Sequence, residues 1–146
     1  WQNAIMKLDY DITYKLHPKN KITKPLKYKK ISRKNLKNIL NKYDFYILDY
    51  ISTASALLIG TDKPVIFFNL GMRNLLEDAK YKLKKRVFWV DIDLDKDLNF
   101  QIKKAINDFN QIKKNYVNEY TKDYSFSAND KSDVEILESV LSKNKI

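Results

Sequence analysis

The chain has 146 residues, of which 44% are hydrophobic, and it carries a formal net charge of +10. This length fits one domain with its own core, and the absence of cysteine excludes disulfides, a thiol nucleophile and a cysteine-ligated zinc site. The apolar runs are too short to span a bilayer. Because the chain begins at Trp1 rather than Met, we expect a fragment of a larger protein.

The first half of the chain predicts two strands and one helix. Alternating apolar and polar residues at 11–16 predict a strand that ends at His17-Pro18. Residues 19–30 are polar and predict a loop, with an extended piece at 26–28. Ser32 is a suitable N-cap for a helix over residues 33–42, and the apolar run at 45–48 predicts a strand buried on both faces.

The second half continues the alternation of helices and strands. A helix is predicted at 54–59, between the capping residues Ser52 or Thr53 and the stop signal of Gly60 and Pro64. Apolar strands are predicted at 65–68 and 87–90, with a turn at Gly71 and a short helix at 74–80 between them. Helical spacing over 98–120 predicts one long helix or two shorter ones, and a last helix is predicted at 132–141.

This order predicts an α/β fold with a Rossmann-like, doubly wound parallel sheet, because parallel strands need helical crossovers between them. Residues 1–123 would form the α/β lobe, and residues 124–146 a helical tail of the same domain. Ligands of such sheets bind beyond the carboxyl ends of the strands. This rule directs attention to the residues that follow each predicted strand.

The strongest candidate site follows the strand at 45–48, where Asp49 leads into Ser52, Thr53 and Ser55. Free backbone N–H groups at a helix start, together with hydroxyl groups, favour a phosphate-bearing ligand. An ordinary helix N-cap is the alternative, since serine and threonine are common there for local reasons. Asp49 would orient a sugar hydroxyl or support the loop.

The single histidine, His17, is the second candidate, because it lies at a predicted strand end beside Lys15. It is the best candidate for a catalytic residue, and a surface or capping role is the alternative. Arg73 and Glu77 follow another strand end and are candidates to close over a ligand, although a solvated face is the simpler interpretation. No spacing of ligand residues indicates a metal site, and no glycine-rich fingerprint is present.

Three segments together resemble one family: Lys15 to Pro18, Leu48 to Thr53 and Lys63 to Phe68. They are similar to the C-terminal lobe of GT-B-type glycosyltransferases of bacterial surface polysaccharide, and to the CDP-glycerol glycerophosphotransferases. The resemblance covers residues 10 to 110. Ile51 departs from the family's pattern, because it separates Tyr50 from Ser52.

The resemblance implies a GT-B donor-binding lobe for a nucleotide-diphosphate sugar or polyol, incomplete alone because the acceptor lobe is missing. His17, Ser52, Thr53 and Ser55 would contact the donor phosphates, supported by Lys15, Asp49, Arg73 and Glu77. Expected partners are that donor and a glycan or lipid-linked acceptor, with no cofactor and no nucleic acid. The protein would be cytoplasmic, with possible peripheral contact at an anionic inner membrane face.

Composition supports a second interpretation, a non-catalytic interaction domain. Its basic face would bind anionic membrane or a protein partner. Nucleic-acid binding rests on charge alone, because most of the 28 basic residues are lysines and the tyrosines are scattered rather than arranged as a stacking platform.

Overall fold

The computed structural model describes residues 1–16, 30–112 and 119–124, and within them helices alternate with short strands. In chain order the elements are α1 (Gln2–Met6), β1 (Thr13–Lys15), β2 (Lys30–Ser32), a 3-10 turn (Leu36–Asn38), β3 (Tyr46–Leu48), α2 (Thr53–Ile59), β4 (Val65–Asn69), α3 (Glu77–Arg86), β5 (Phe88–Asp91), α4 (Leu98–Gln111) and α5 (Glu119–Tyr124). The protein is an α/β protein with small parallel sheets.

The centre of the fold is a parallel sheet in the order β3-β4-β5. Tyr46 aligns with Val65, and Ile66 with Phe88, which fixes the register of the two pairings. Four consecutive residues of β4, from Val65 to Phe68, are buried because helices cover both faces of the sheet. The predictions of strands at 45–48, 65–68 and 87–90 are confirmed to within a residue or two.

Side chains of β4 alternate between two hydrophobic layers, as the pleat of a strand requires. Ile66 and Phe68 pack against α1 and α4 in one layer. Val65 and Phe67 pack against α2, α3 and α5 in the other. Helices α2 and α3 lie on the same face because consecutive right-handed crossovers between neighbouring parallel strands place them there.

The first two strands form a separate parallel pair, in which Thr13 aligns with Lys30 and Lys15 with Ser32. The sequence predicts one doubly wound sheet, but the described strands form two sheets, and the order of the larger one does not reverse. A cleft lies between β1 and β3. The edge of β3 that faces away from β4 therefore has no strand partner among the described residues.

The predicted helix at 33–42 is wrong. Ser32 is the last residue of β2 instead of an N-cap, and only a 3-10 turn follows. The side chain of Asn35 caps this turn by accepting a hydrogen bond of 3.1 Å from the backbone N–H of Lys37. Buried Ile39 comes directly after the turn. The periodic apolar residues thus reach the core from a turn rather than from a longer helix.

Other boundaries also differ from the prediction. Helix α3 begins at Glu77 and runs to Arg86, later than the predicted helix at 74–80. Helix α4 covers Leu98–Gln111, which confirms the first part of the helical stretch predicted at 98–120. Helix α1 and strand β2 were not predicted. The predictions at 26–28 and 132–141 lie outside the described residues.

The described turn at Gly71 confirms the sequence prediction. Gly71 has a φ of +70°, a conformation that residues with a Cβ rarely adopt. Its N–H donates to the side-chain oxygen of Asn69 over 3.3 Å. The chain therefore bends at the carboxyl end of β4, and residues 69–73 come close to the end of β3 and to Asp91.

Candidate functional site

Asp49 stands at the exposed carboxyl end of β3, as the sequence predicts. Its Oδ2 accepts a hydrogen bond of 2.7 Å from the indole Nε1 of Trp1. The same indole packs edge-on against Phe68, with the ring centroids 5.1 Å apart. Asp49 thus connects the N-terminal segment to the central sheet, and this bond uses one of its two carboxylate oxygens.

Ser52 and Ser55 form a reciprocal capping box at the start of α2. The Ser55 hydroxyl donates to the carbonyl of Ser52 over 2.7 Å and accepts from the Ser52 N–H over 2.5 Å. The Ser55 N–H in turn donates to Ser52 Oγ over 3.3 Å. Ser55 is only 2% exposed, whereas Ser52 is exposed. Of these two hydroxyls, that of Ser52 is open to a ligand.

Thr53 is the first residue of α2, which has only seven residues. The capping box alone gives a structural reason for serine at positions 52 and 55. This agrees with the alternative interpretation of the sequence, an ordinary helix N-cap. His17 lies outside the described residues, so its proposed phosphate contact stays a prediction. Lys15 ends β1, and its Nζ donates to the carbonyl of Leu16 over 2.6 Å.

A polar network that the sequence did not single out joins the ends of β4 and β5. Asn69 Nδ2 donates to Asp91 Oδ1 over 2.8 Å, and Trp89 Nε1 donates to the same oxygen over 2.9 Å. Partial burial by itself raises the pKa of Asp91. The two hydrogen bonds and the positive charges of Lys84 and Lys80 outweigh it, so that the pKa lies below its ordinary value.

Arg73 lies beside the end of β3, with its guanidinium 4.3 Å from the ring centroid of Tyr50. With Asp49 and Asn69 it lines a hollow of about 20 Å³, which has room for one water molecule. This hollow is too small for a nucleotide. Glu77, the first residue of α3, lines neither this hollow nor the cleft described next.

The larger opening is the cleft between β1 and β3, with a volume of about 540 Å³. Binding sites for small molecules commonly have volumes of about 300–1,000 Å³. Four residues that the sequence selected line this cleft, namely Lys15, Asp49, Ser52 and Ser55. The structure therefore brings these predicted residues to one opening and leaves Arg73 and Glu77 outside it.

Aromatic side chains form much of the cleft wall, and these are Trp1, Tyr10, Tyr14, Tyr43, Phe45, Tyr46 and Tyr50. The Tyr46 hydroxyl donates to the carbonyl of Ile39 over 3.0 Å. Burial, and secondarily the nearby Tyr43, raise the pKa of Tyr46, so that its hydroxyl is neutral at physiological pH. These rings offer flat apolar surface beside a few polar groups.

The sequence missed Trp1, Asn69 and Asp91 as members of these networks. The ends of β4 and β5 were identified, but their polar residues were given no role. Only the sheet register, which aligns Asn69 with Asp91, shows that the two side chains meet. Trp1 reaches Asp49 across 48 positions in sequence, and no local pattern signals such a contact.

Within the described ranges, no group of three or more His, Asp or Glu side chains is placed to hold a metal ion. None of the helices in those ranges is long and apolar enough to cross a lipid bilayer. Comparisons of the chain with family models, with curated proteins and with solved structures give no significant match.

Proposed function

We propose that this chain is the donor-binding, Rossmann-like lobe of a GT-B-type glycosyltransferase or glycerophosphotransferase of bacterial surface polysaccharide. The observation that carries the proposal is the cleft between β1 and β3, which is lined by Lys15, Asp49 and Ser52. These residues come from two separate segments, and both segments belong to the sequence motifs that resemble this family. The ligand would be a nucleotide-diphosphate sugar or polyol.

The polar groups of the cleft suit a diphosphate. The Lys15 ammonium supplies positive charge, and its bond to the Leu16 carbonyl is one that a phosphate oxygen can replace or share. The exposed Ser52 hydroxyl adds a donor. Ser55 acts indirectly here, because its hydroxyl is committed to the cap that fixes the position of Ser52.

The remaining parts of the ligand have matching surfaces in the same cleft. The Asp49 carboxylate keeps acceptor capacity for a ribose or sugar hydroxyl beside its bond to Trp1. The aromatic wall offers rings on which a nucleobase can stack. In the transfer reaction, charge on the leaving diphosphate would be stabilised by Lys15 and Ser52, and by His17 as the sequence resemblance predicts.

The test is a titration of the full chain with CDP, UDP, CDP-glycerol and UDP-sugars, followed by calorimetry and by amide chemical shifts. We expect saturable shifts at residues 12–17 and 46–55. Charge-assisted hydrogen bonds contribute about 1.5–3 kcal/mol, so Lys15→Gln and Ser52→Ala should each weaken binding by about tenfold or more. Lys103→Gln, on the exposed surface of α4, is the matched control and should leave affinity unchanged.

Shifts that avoid both segments would remove the assignment. So would binding that Lys15→Gln and Lys103→Gln weaken equally, because general attraction of an anion to a basic chain would then account for it. His17→Ala tests the part of the proposal that comes from the sequence alone. The expected result for this variant is a loss of affinity for CDP-glycerol without a change in the thermal midpoint.

A further inference from the structure

The loop before α3, which ends at the N-cap residue Leu76, exposes two apolar side chains outside the core. Met72 is 72% exposed and Leu76 is 73% exposed. Together with Arg73 of this loop and with Lys80 and Lys84 of α3, they form a surface that we call the α3 ridge. Leu76, Lys80 and Lys84 recur at intervals of four residues and so align along one side of the helix.

Positive charge predominates on the α3 ridge. Its three cations outnumber the two carboxylates of the same region, those of Glu77 and Asp91. The charges of Lys84 and Lys80 act on Asp91, so this carboxylate offsets part of the positive charge. The Lys84 ammonium lies 5.2 Å from the ring centroid of Trp89, which combines a cation with an amphipathic aromatic ring. The chain as a whole, ridge included, has a formal net charge of +10.

This combination matches the surface of an anionic bilayer better than it matches other partners. Protruding single side chains such as Met72 and Leu76 can insert among lipid headgroups, while lysines attract the negative surface. A stable protein interface needs about 800 Å² on each side, which a ridge of five residues does not supply. Single-stranded nucleic acid would need open aromatic faces, and a lysine already covers the ring of Trp89.

We propose that the α3 ridge is a peripheral binding site for membranes that contain anionic phospholipid. Met72 and Leu76 enter the headgroup region, and Arg73, Lys80 and Lys84 contact the lipid phosphates. This proposal does not depend on nucleotide binding, because the ridge and the cleft between β1 and β3 share none of their residues. Experiments can therefore refute the membrane site without refuting the nucleotide site, and the reverse.

The test is co-sedimentation of the full chain with vesicles of phosphatidylcholine, with and without phosphatidylglycerol, at low and physiological salt. We expect binding only where phosphatidylglycerol is present. A lysine near an anionic surface contributes about 1 kcal/mol, or about fivefold in affinity, so Lys80→Gln/Lys84→Gln should weaken binding by about 25-fold at low salt. Met72→Ser/Leu76→Ser should weaken it by about tenfold or more through lost apolar insertion.

Matched controls lie on α4 and in the loop that precedes it. Lys103→Gln/Lys104→Gln removes the same charge from α4, and Leu94→Ser/Phe100→Ser removes two exposed apolar side chains. Both controls should bind vesicles within about twofold of the unmodified chain, apart from the small general effect of net charge. Circular dichroism of each variant confirms that the fold is retained.

Equal binding to vesicles of phosphatidylcholine alone would overturn the proposal, and so would equal losses in the ridge variants and their controls. Unchanged binding of Met72→Ser/Leu76→Ser would overturn it as well. Charge alone would then explain the attraction, and a nucleic acid would serve equally as the partner. The absence of binding to any vesicle at low salt would also refute a membrane site.

Discussion

Arg86 offers the sharpest test of how this fold is held together. It ends α3 with only 1% of its surface exposed, an unusual position for a permanent charge. Its Nε donates to the carbonyl of Ile59 over 2.9 Å, and Nη2 donates to the carbonyls of Thr61 and Lys63, the latter over 3.0 Å. The guanidinium therefore satisfies the last turn of α2 and the loop that leads into β4.

Replacing Arg86 with Met preserves helix propensity and much of the side-chain volume but removes all of these donors. A buried acceptor left without a partner costs about 1–3 kcal/mol, and some of the loop carbonyls can regain water. We therefore expect a loss of about 3–5 kcal/mol in the free energy of unfolding. For a domain of this size, that loss lowers the melting temperature by about 10 °C. Arg86→Lys should lose about half as much, because an ammonium cannot reproduce the planar fork of donors.

Urea and thermal unfolding followed by circular dichroism measure these differences. Lys103→Met is the control, because it also replaces a basic residue with Met, but at an exposed position of α4, and it should alter stability by less than about 0.5 kcal/mol. If Arg86→Met lies within about 1 kcal/mol of the unmodified chain, the guanidinium does not hold α2 and the following loop as described. Equal losses for the Met and Lys variants would show that positive charge by itself contributes nothing at this position, and that the whole effect belongs to the planar fork of donors.

The remaining predictions concern the cap, the network at the strand ends and the core. Ser55→Ala should lower the free energy of unfolding by about 1 kcal/mol, because it breaks the capping box; an unchanged urea midpoint would contradict this. The depressed pKa of Asp91 adds stability that is present above the unfolded-state pKa and is lost as the pH falls through the folded-state value. NMR titration should find that pKa higher in Asn69→Ala, and an identical value would show that the amide does not act on the carboxylate. Phe68→Ala should cost about 3–5 kcal/mol in chemical denaturation, since its ring is fully buried, and a loss below about 1 kcal/mol would remove it from the core.

The sequence predicted the central sheet because its signal is strong and local. Residues 65–68 are apolar and fully buried, and Gly60 and Pro64 separate them from the helix before. The pattern fails for β2, whose Lys30 and Ile31 are exposed, so that no apolar alternation marks the strand. Strand β2 forms through backbone pairing with β1, and no local sequence pattern signals this pairing.

Helix α3 illustrates a second limit of sequence patterns. Its last turn contains Lys84, Lys85 and Arg86, and a run of basic residues in sequence most simply indicates a solvated surface. That interpretation holds for exposed Lys84 but not for Arg86, whose acceptors come from residues 23 to 27 positions earlier in the chain. Only the folded arrangement of α2, β4 and α3 shows which basic residue is buried and why.

The predicted site at residues 49–55 carries both a structural and a proposed functional role, and the two can be separated. Ser55 belongs to the cap through both its hydroxyl and its N–H, whereas Ser52 presents an exposed hydroxyl to the cleft. A ligand role for Ser52 therefore predicts weaker nucleotide binding in Ser52→Ala beyond what its loss of stability explains. Ser55→Ala would weaken binding only as far as it displaces Ser52. If both variants reduce affinity in proportion to stability, the joint is a helix cap alone, and the cleft must bind its ligand through Lys15 and Asp49.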